Sequence, residues 1–403
     1  GDAITGTLFY SLFSGEADAA VMNQICFDAF ALGNHEFDDG DAGLANFLDF
    51  LASGGCDTPV LSANVVPGPD SPLTAGDYIQ PYTIKEVEGQ EVGIIGIHIA
   101  QKTLVSSNPD EGTDIIDELE SAQAAIDELQ AMGVNKIILV THIGYANDLA
   151  LAEGLQGVDV IVGGDSHSLL GSENLVNAGF EPQGPYPTIT SNADGDRVCV
   201  VQAWQYAHLF GRLRVQFDET GEVRGCRGNP VITLDRDVFF ENSDETNTRL
   251  RGDDRRTVLK SLSGLPEFKR DRPDMVTTDL IAGFNEQVSM LEQTVIGSVA
   301  EDLCLERYPG QGRSTICERG DSYENGSDIS NIVAKAFLTV TATADIAIQN
   351  GGGVRVDVSA GAYTIADAFT LLPFSNTLVT LEMTGEQVVA QNAVQGPMHP
   401  ELG

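Results

Sequence analysis

One design recurs along this chain and limits what it can fold into: an apolar run that ends abruptly in Asn, His or Asp. Phe27-Asp28-Ala29-Phe30-Ala31-Leu32 leads into Gly33-Asn34-His35-Glu36-Phe37-Asp38. Lys136-Ile137-Ile138-Leu139-Val140-Thr141 leads into His142, and Val158-Asp159-Val160-Ile161-Val162-Gly163 leads into Gly164-Asp165-Ser166-His167. Short apolar runs bounded by turn residues read as buried strands. Between them, Asp114 to Met132 carries Ile115, Leu119, Ala122, Ile126 and Leu129 at helical spacing and stops at Gly133, which predicts a helix with a glycine end. Alternating strands and helices, with polar residues of metal-ligand type at the strand ends, predict an α/β fold whose site lies at the C-terminal edge of a sheet.

Each residue has a plain reading when taken alone. Gly1-Asp2 is a turn, and a strand-end histidine is usually structural. His98, inside Glu91 to Ile99, reads as a core or edge residue, and His208 as packing or function alike. The repetition at three strand ends is what gives the residues weight together. Asn34 offers a neutral oxygen, His35 a group that titrates near neutral pH, and Asp38 a carboxylate that could fix the His35 ring.

The 403 residues suggest two domains with separate cores. With 60 acidic against 22 basic residues the net charge is −38, which disfavours nucleic acid as a partner and suits a saline setting. An anionic substrate would need metal ions or local arginines to reverse that field. No run of about 18 apolar residues exists, so no membrane span is expected. Cys26 and Cys56, Cys199 and Cys226, and Cys304 and Cys317 are neighbours in sequence, and no CxxC occurs. Local pairs in an even count suit an oxidising compartment, although six cysteines formally allow 15 pairings.

Further along, Arg197 to Phe217 holds two apolar runs expected to pair as strands, and Glu219 to Pro273 reads as an irregular polar excursion. Met275 to Thr294 is expected to be a helix, with Leu280, Phe284, Val288 and Leu291 on one stripe. Glu306-Arg307 to Gly312-Arg313 is a loop with two arginines. Ser327 to Val340 is expected to be a helix capped by Ser327 or Asp328, and Asp345 to Asn350 a strand. It runs into Gly351-Gly352-Gly353-Val354-Arg355, a turn with the makings of an anion cradle. Thr364 to Leu371 is a helix, and Leu372 to Asn376 a turn in which Phe374 has polar neighbours.

Together, Gly1-Asp2, Gly33-Asn34-His35-Glu36, Thr141-His142, Gly164-Asp165-Ser166-His167, Asn350 to Arg355 and Leu372 to Asn376 resemble the metallophosphoesterase superfamily and, within it, the 5′-nucleotidases. The wording around Gly1 to Tyr10 and Gly164 to His167 is most similar to the NAD nucleotidase branch. The resemblance implies an α/β sandwich catalytic domain over residues 1–272, lacking its first strand, a linker helix over 273–294, and a smaller α+β substrate-binding domain over 295–403, incomplete at its C-terminal end. It also implies two divalent metal ions, zinc, manganese or similar. Asp2 would bridge them, with Asn34, His142 and Asp165 on the second and His167 on the first. Many relatives have His in place of Asp165. His35 with Asp38 resembles the dyad that stabilises the phosphoryl transition state. Arg307, Arg313, Asn350, Gly352, Arg355 and Phe374 resemble the groups that hold the nucleotide, with Phe374 on one face of the base. An Asp-x-His before Gly1 and a second aromatic after Gly403 are expected from the same pattern. The implied activity is hydrolysis of phosphoester or pyrophosphate bonds of AMP, NAD or UDP-sugar nucleotides in a periplasmic or secreted setting. Its rivals are a non-catalytic nucleotide-binding relative and a hydrolase of sulfur-linked substrates.

Overall fold

The computed structural model describes residues 1–234, 239–241, 247–307, 314–318, 327–341, 343–374 and 376–394. The chain divides into two compact units, Gly1–Thr5 with Phe9–Gln287, and Gly6–Leu8 with Val288–Gly403.

In the first unit, α1 (Glu16–Ile25) leads to the short strand β1 (Phe30–Ala31), then α2 (Gly40–Ser53) to β2 (Val60–Leu61) and β3 (Ile79–Gln80). These strands form a parallel sheet in the order β1-β2-β3. There follow β4 (Tyr82–Val87), β5 (Gln90–His98), α3 (Ala100–Ser106), α4 (Glu118–Ala131), β6 (Ile137–His142), α5 (Tyr145–Gly154), β7 (Val160–Gly163), β8 (Thr188–Ser191) and β9 (Arg197–Gln202). The six strands make a second sheet in the order β8-β9-β7-β6-β5-β4. Its four central strands are parallel, and the two edges run antiparallel.

Each sheet has its own helical cover, because each helix presents a single apolar stripe. Ala122, Ile126 and Leu129 of α4, with Leu151 and Ala152 of α5, pack on Ile95, Ile97, Ile137, Leu139 and Ile161. Leu44, Phe47, Leu48 and Leu51 of α2, with Ala19 and Met22 of α1, pack around Phe30 and Val60. The sheets meet where Ala63 N donates to Gly96 O at 2.8 Å. The result is an α/β sandwich in which β5 and β6 end side by side, with His98 in register with His142.

Several local expectations are corrected. The helix expected from Asp114 begins at Glu118. Asp117 caps it by accepting Glu120 N at 2.9 Å, and Asp114–Ile115 pairs as a strand with Val65–Val66. The two runs between Arg197 and Phe217 do not pair with each other. β9 stays in the large sheet, whereas β10 (Leu209–Phe217) forms an antiparallel pair with β11 (Val223–Leu234). Left-handed backbone at Trp204 (φ 60°), Tyr206 (φ 48°) and Ala207 (φ 52°) reroutes the chain between them. The supposed irregular excursion holds β11, helix α6 (Gly252–Leu262) and β12 (Phe268–Arg270), the last parallel to β11. Helix α7 (Met275–Glu292) crosses the division between the units. On its stripe Val288 is buried, and Phe284 packs edge-on against Phe13 at 4.9 Å.

In the second unit, β13 (Val295–Val299) pairs antiparallel with β14 (Gly361–Thr364) beside α8 (Asp328–Val340) and α9 (Ile365–Leu371). Leu305, Ile329, Val333, Val354, Val358 and Leu371 form its core. Ser327 caps α8 by accepting Ser330 N at 3.2 Å. Asp345 to Asn350 is not a strand. Gln349 Nε2 bonds the carbonyl and side chain of Asn350 locally, each at 3.1 Å, the kind of contact that competes with a ladder.

All six cysteines are bonded, as Cys26–Cys56, Cys199–Cys226 and Cys304–Cys317, the three sequence-local pairs. Among the described residues no helix is long and apolar enough to cross a membrane.

Two buried carboxylates make the fold testable. Asp41 is fully buried and accepts Ser71 Oγ and Thr113 Oγ1, each at 2.5 Å, and Asp110 N at 3.1 Å. Asp41→Ala leaves those donors unpaired and should lower unfolding free energy by about 3 kcal/mol in urea titrations; a loss under about 1 kcal/mol would show that they do not depend on Asp41. Asp148 accepts Thr141 Oγ1 at 2.5 Å, its other oxygen has no partner, and burial pushes its carboxyl up to about 7. A carboxyl raised on folding contributes stability that is complete below its unfolded value and is lost as pH rises through about 7. Asp148→Asn should therefore flatten the decline in stability between about pH 4 and 7. An unchanged slope in urea titrations across that range would remove Asp148 as its source.

Candidate active site

The strand-end residues of the first unit gather around Glu36. This buried carboxylate accepts three backbone N–H groups, from Asp2 at 2.7 Å, Ala3 at 2.6 Å and Gly33 at 2.5 Å. Burial and the neighbouring charge of Asp2 push its carboxyl up, and the hydrogen bonds from Asp2 and Gly33 oppose that shift. The contact brings the segment holding Asp2 against the turn Asn34–Phe37. There His35 N donates to Asp2 Oδ1 at 2.9 Å. Gly33 has to be glycine, since a Cβ there would lie 2.3 Å from Asp2 Oδ1.

Around Asp2 the polar groups converge. His142 Nε2 lies 2.9 Å from Asp2 Oδ2 and 3.7 Å from Asp165 Oδ1. Both ring nitrogens of His142 are buried without a hydrogen-bond partner, so the short approach to Asp2 is an ion-pair distance without aligned bonding. The amide oxygen of Asn34 is likewise buried and unpartnered. His35 Nδ1 meets Asp38 Oδ2 at 2.7 Å, and Ser107 Oγ donates to Asp38 Oδ1 at 2.9 Å. Burial alone would raise Asp2, but His142 at ion-pair distance, with His35 beyond, holds its carboxyl well below the usual range. Asp2 (φ 60°), Asp165 (φ 73°) and His167 (φ 51°) all occupy left-handed backbone, and such strain collects at functional sites.

The structure thus joins Asp2, His35, Asp38, His142 and Asp165 by direct contacts, with the buried Asn34 oxygen alongside. His167 is held differently: its ring stacks edge-to-face on Tyr206 at 5.3 Å. Among the described residues no three His, Cys, Asp or Glu side chains are already arranged as a metal centre. Even so, unpartnered amide oxygen and imidazole nitrogen beside two carboxylates are the donor types a divalent cation takes.

Three contributors escaped the sequence reading. Glu36 lay inside the quoted motif without a role. Lys102, on α3, forms an ion pair with Asp165, and nothing local to Lys102 marks it. His98 is a core residue, as its surroundings predicted, but it also supports the site. Burial lowers its pKa to about 3, so the ring is neutral. Its Nδ1 donates to Leu32 O at 3.2 Å and its Nε2 meets Thr103 Oγ1 at 2.7 Å, while its backbone N–H donates to Asn64 Oδ1 at 2.8 Å. His98 therefore steadies the end of β1 just ahead of Asn34.

A second set lies in the other unit. Asn350 leads into a single 3₁₀ turn, Gly351–Gly353. Arg355 Nη1 donates to Gly352 O at 3.2 Å, and its guanidinium lies 5.5 Å from the Phe374 ring centre. Arg307 comes in from another segment, so close that a Cβ on Gly352 would lie 3.4 Å from its Nη2 and 3.7 Å from Asn350 Nδ2. The segment before Arg307 is fixed three ways. Leu303 pairs with Val358, Leu305 N donates to Asp357 Oδ1 at 2.6 Å, and Cys304 is bonded to Cys317. Arg307, Asn350, Gly352, Arg355 and Phe374 therefore form one cluster. Arg313 lies outside the described residues.

Residues 296–390 match the family model for the 5′-nucleotidase C-terminal domain. The NAD 5′-nucleotidase of Haemophilus influenzae is 37% identical over 398 residues, covering 98% of this chain and 64% of that protein. The 5′-nucleotidase of Rattus norvegicus is 39% identical over 394 residues, covering 96% of this chain and 60% of that protein. The solved structure of Haemophilus influenzae NAD nucleotidase superposes with a TM-score of 0.72 at 36% identity, over 93% of this chain and 64% of that one. The chain thus spans less than two thirds of the relatives it matches. Similarity along nearly the whole sequence, with the same fold and the matching C-terminal domain, shows that the chain belongs to the 5′-nucleotidase family.

Proposed function

We propose that the protein is a metal-dependent phosphohydrolase that cleaves phosphoester or pyrophosphate bonds of extracellular nucleotides. The observation that carries this reading is the contact of Asp2 with both His142 and the turn bearing the His35–Asp38 pair. We read the protein as two domains with the linker helix between them, over 1–272, 273–294 and 295–403. Residues to hold two divalent ions are Asp2, Asn34, His142, Asp165 and His167. When bound, such ions, zinc or manganese by donor type, lower the pKa of a water and offset phosphate charge.

The chain's own residues do the rest. Asp38 fixes the His35 ring through Nδ1, which leaves Nε2 to donate to a phosphoryl oxygen as charge grows there. Asp2 orients His35 through the backbone N–H. Lys102 balances Asp165, a carboxylate where many relatives carry His. In the second domain Arg307 and Arg355 bind phosphate, which a fixed guanidinium fork suits. Phe374, braced by Arg355, offers its ring to the base, with Asn350 beside it. Three disulfides support a periplasmic or secreted location. A binding-only relative would not need the His35–Asp38 pair, and the arginine–phenylalanine cluster favours a nucleotide over a sulfur-linked substrate.

Phosphate release from AMP, with zinc or manganese supplied, tests both halves. His35→Ala should lower kcat by about 10²- to 10⁴-fold with the melting temperature unchanged; wild-type turnover in the variant would refute the assignment. Arg355→Ala should raise KM for AMP by on the order of tenfold or more, since charged hydrogen bonds and ring support are lost together. A KM within error of wild type would separate Arg355 from substrate.

A further inference from the structure

A feature outside this chemistry lies on the outer face of the β10–β11 hairpin, within the first unit. In an antiparallel pair, opposite residues share a face, and alternate residues along a strand return to it. Arg214 stands opposite Arg227, Arg212 opposite Asn229, and Gln216 opposite Gly225. Arg212, Arg214 and Arg227 are all exposed, so three guanidiniums share one solvent face. The opposite face is anchored. Leu213 and Val215 are half-buried there, and Cys226 is bonded to Cys199 of β9. The arginines line a hollow of about 570 Å³. Gly225 widens it, because a Cβ there would meet nothing within 4 Å.

The charge on this face runs against the rest of the chain, which carries 60 acidic and 22 basic residues. Acids are at hand, and Arg224 of the same hairpin pairs with Asp218 at 2.7 Å. Yet among the described residues Arg212, Arg214 and Arg227 form no ion pair. Like charges directly opposite each other destabilise a sheet. An anion between the Arg214 and Arg227 forks reverses the sign of that contact, since guanidinium binds phosphate oxygens in pairs.

We infer that this hollow binds a short chain of condensed inorganic phosphate. It is built from none of the residues in the two clusters described above, and it does not depend on the phosphohydrolase reading. The spacing selects a chain over a single phosphate. Opposite Cβ atoms lie roughly 5 Å apart, and Arg212 stands two residues, about 7 Å, along the strand from Arg214. One phosphate occupies one or two forks, whereas a chain meets all three. Among the described residues no aromatic side chain lines the hollow, so a base finds no stacking surface there. Nucleic acid and anionic membrane present extended charge, which the net charge of −38 repels. A short phosphate chain offers its charge to the hollow alone.

Calorimetric titration of tripolyphosphate into the full chain, stripped of metal and dialysed into low salt, tests this. Arg214→Gln combined with Arg227→Gln should weaken binding by about tenfold or more, and Arg355→Ala should leave it unchanged. Arg227→Glu should also weaken it, with a melting temperature equal to or above that of wild type, because opposite charges then face each other across the strands. That variant separates lost binding from lost folding. Orthophosphate at matched ionic strength should bind at least about tenfold more weakly than tripolyphosphate. Wild-type affinity in the double variant overturns the inference, as does a wild type that binds no tripolyphosphate. Orthophosphate binding as tightly as tripolyphosphate also overturns it and leaves an adventitious ion only. ATP binding more tightly than tripolyphosphate through the same two arginines would make the ligand a nucleotide and overturn it too. No turnover enters the measurement, so the phosphohydrolase reading stands or falls separately.

Discussion

The buried Glu36 carboxylate is the contact on which the first unit's site depends. A carboxylate at 1% exposure needs hydrogen bonds for its oxygens, and it finds them in three backbone N–H groups drawn from two segments 30 and more residues apart. Meeting that demand brings the Asp2 segment alongside Gly33, and from there the other placements follow. Asp2 receives the His35 N–H, His142 arrives from the end of β6, and Asp165 from the turn after β7. The concentration of negative charge faces the Lys102 ammonium and the imidazole rings of His142 and His35. The chemistry of the site grows from this electrostatic pressure.

Much of the fold was legible because its signals are local. The apolar runs that became β6 and β7 and the stripes that became α4 and α7 are set by periodicity, and the cap at Ser327 or Asp328 by side-chain type. The misreadings share a cause. The runs 197–202 and 209–217 each looked like a strand, correctly, but pairing is decided by the path between them. Three left-handed residues at Trp204, Tyr206 and Ala207 redirected it with no glycine to announce them. Asp345 to Asn350 had strand composition and no ladder partner, and its amide side chains bonded locally instead. In a polar stretch such as 219–273, β11 pairs through its backbone, which leaves little apolar pattern to detect.

The same split runs through the site. His35 and Asp38, three residues apart on one turn, could be paired on paper. Asp2 with His142, and Arg307 with Gly352, are joined only by the fold, and a family resemblance rather than spacing suggested them. Lys102 could not have been found, because its meaning is Asp165, 63 residues away. Glu36 could have been noticed, since an acid next to a histidine at the end of an apolar run has to be satisfied by something.

The disulfides carry a consequence for how such a chain matures. Their partners are 30, 27 and 13 residues apart, and no bridge joins the first unit to the second. Closing a short loop is entropically easy and grows harder only slowly with length. Each cysteine therefore has its mate as a near neighbour in sequence, and no pair has to span another. A chain that emerges amino end first into an oxidising compartment would offer the thiols in the order in which they bond.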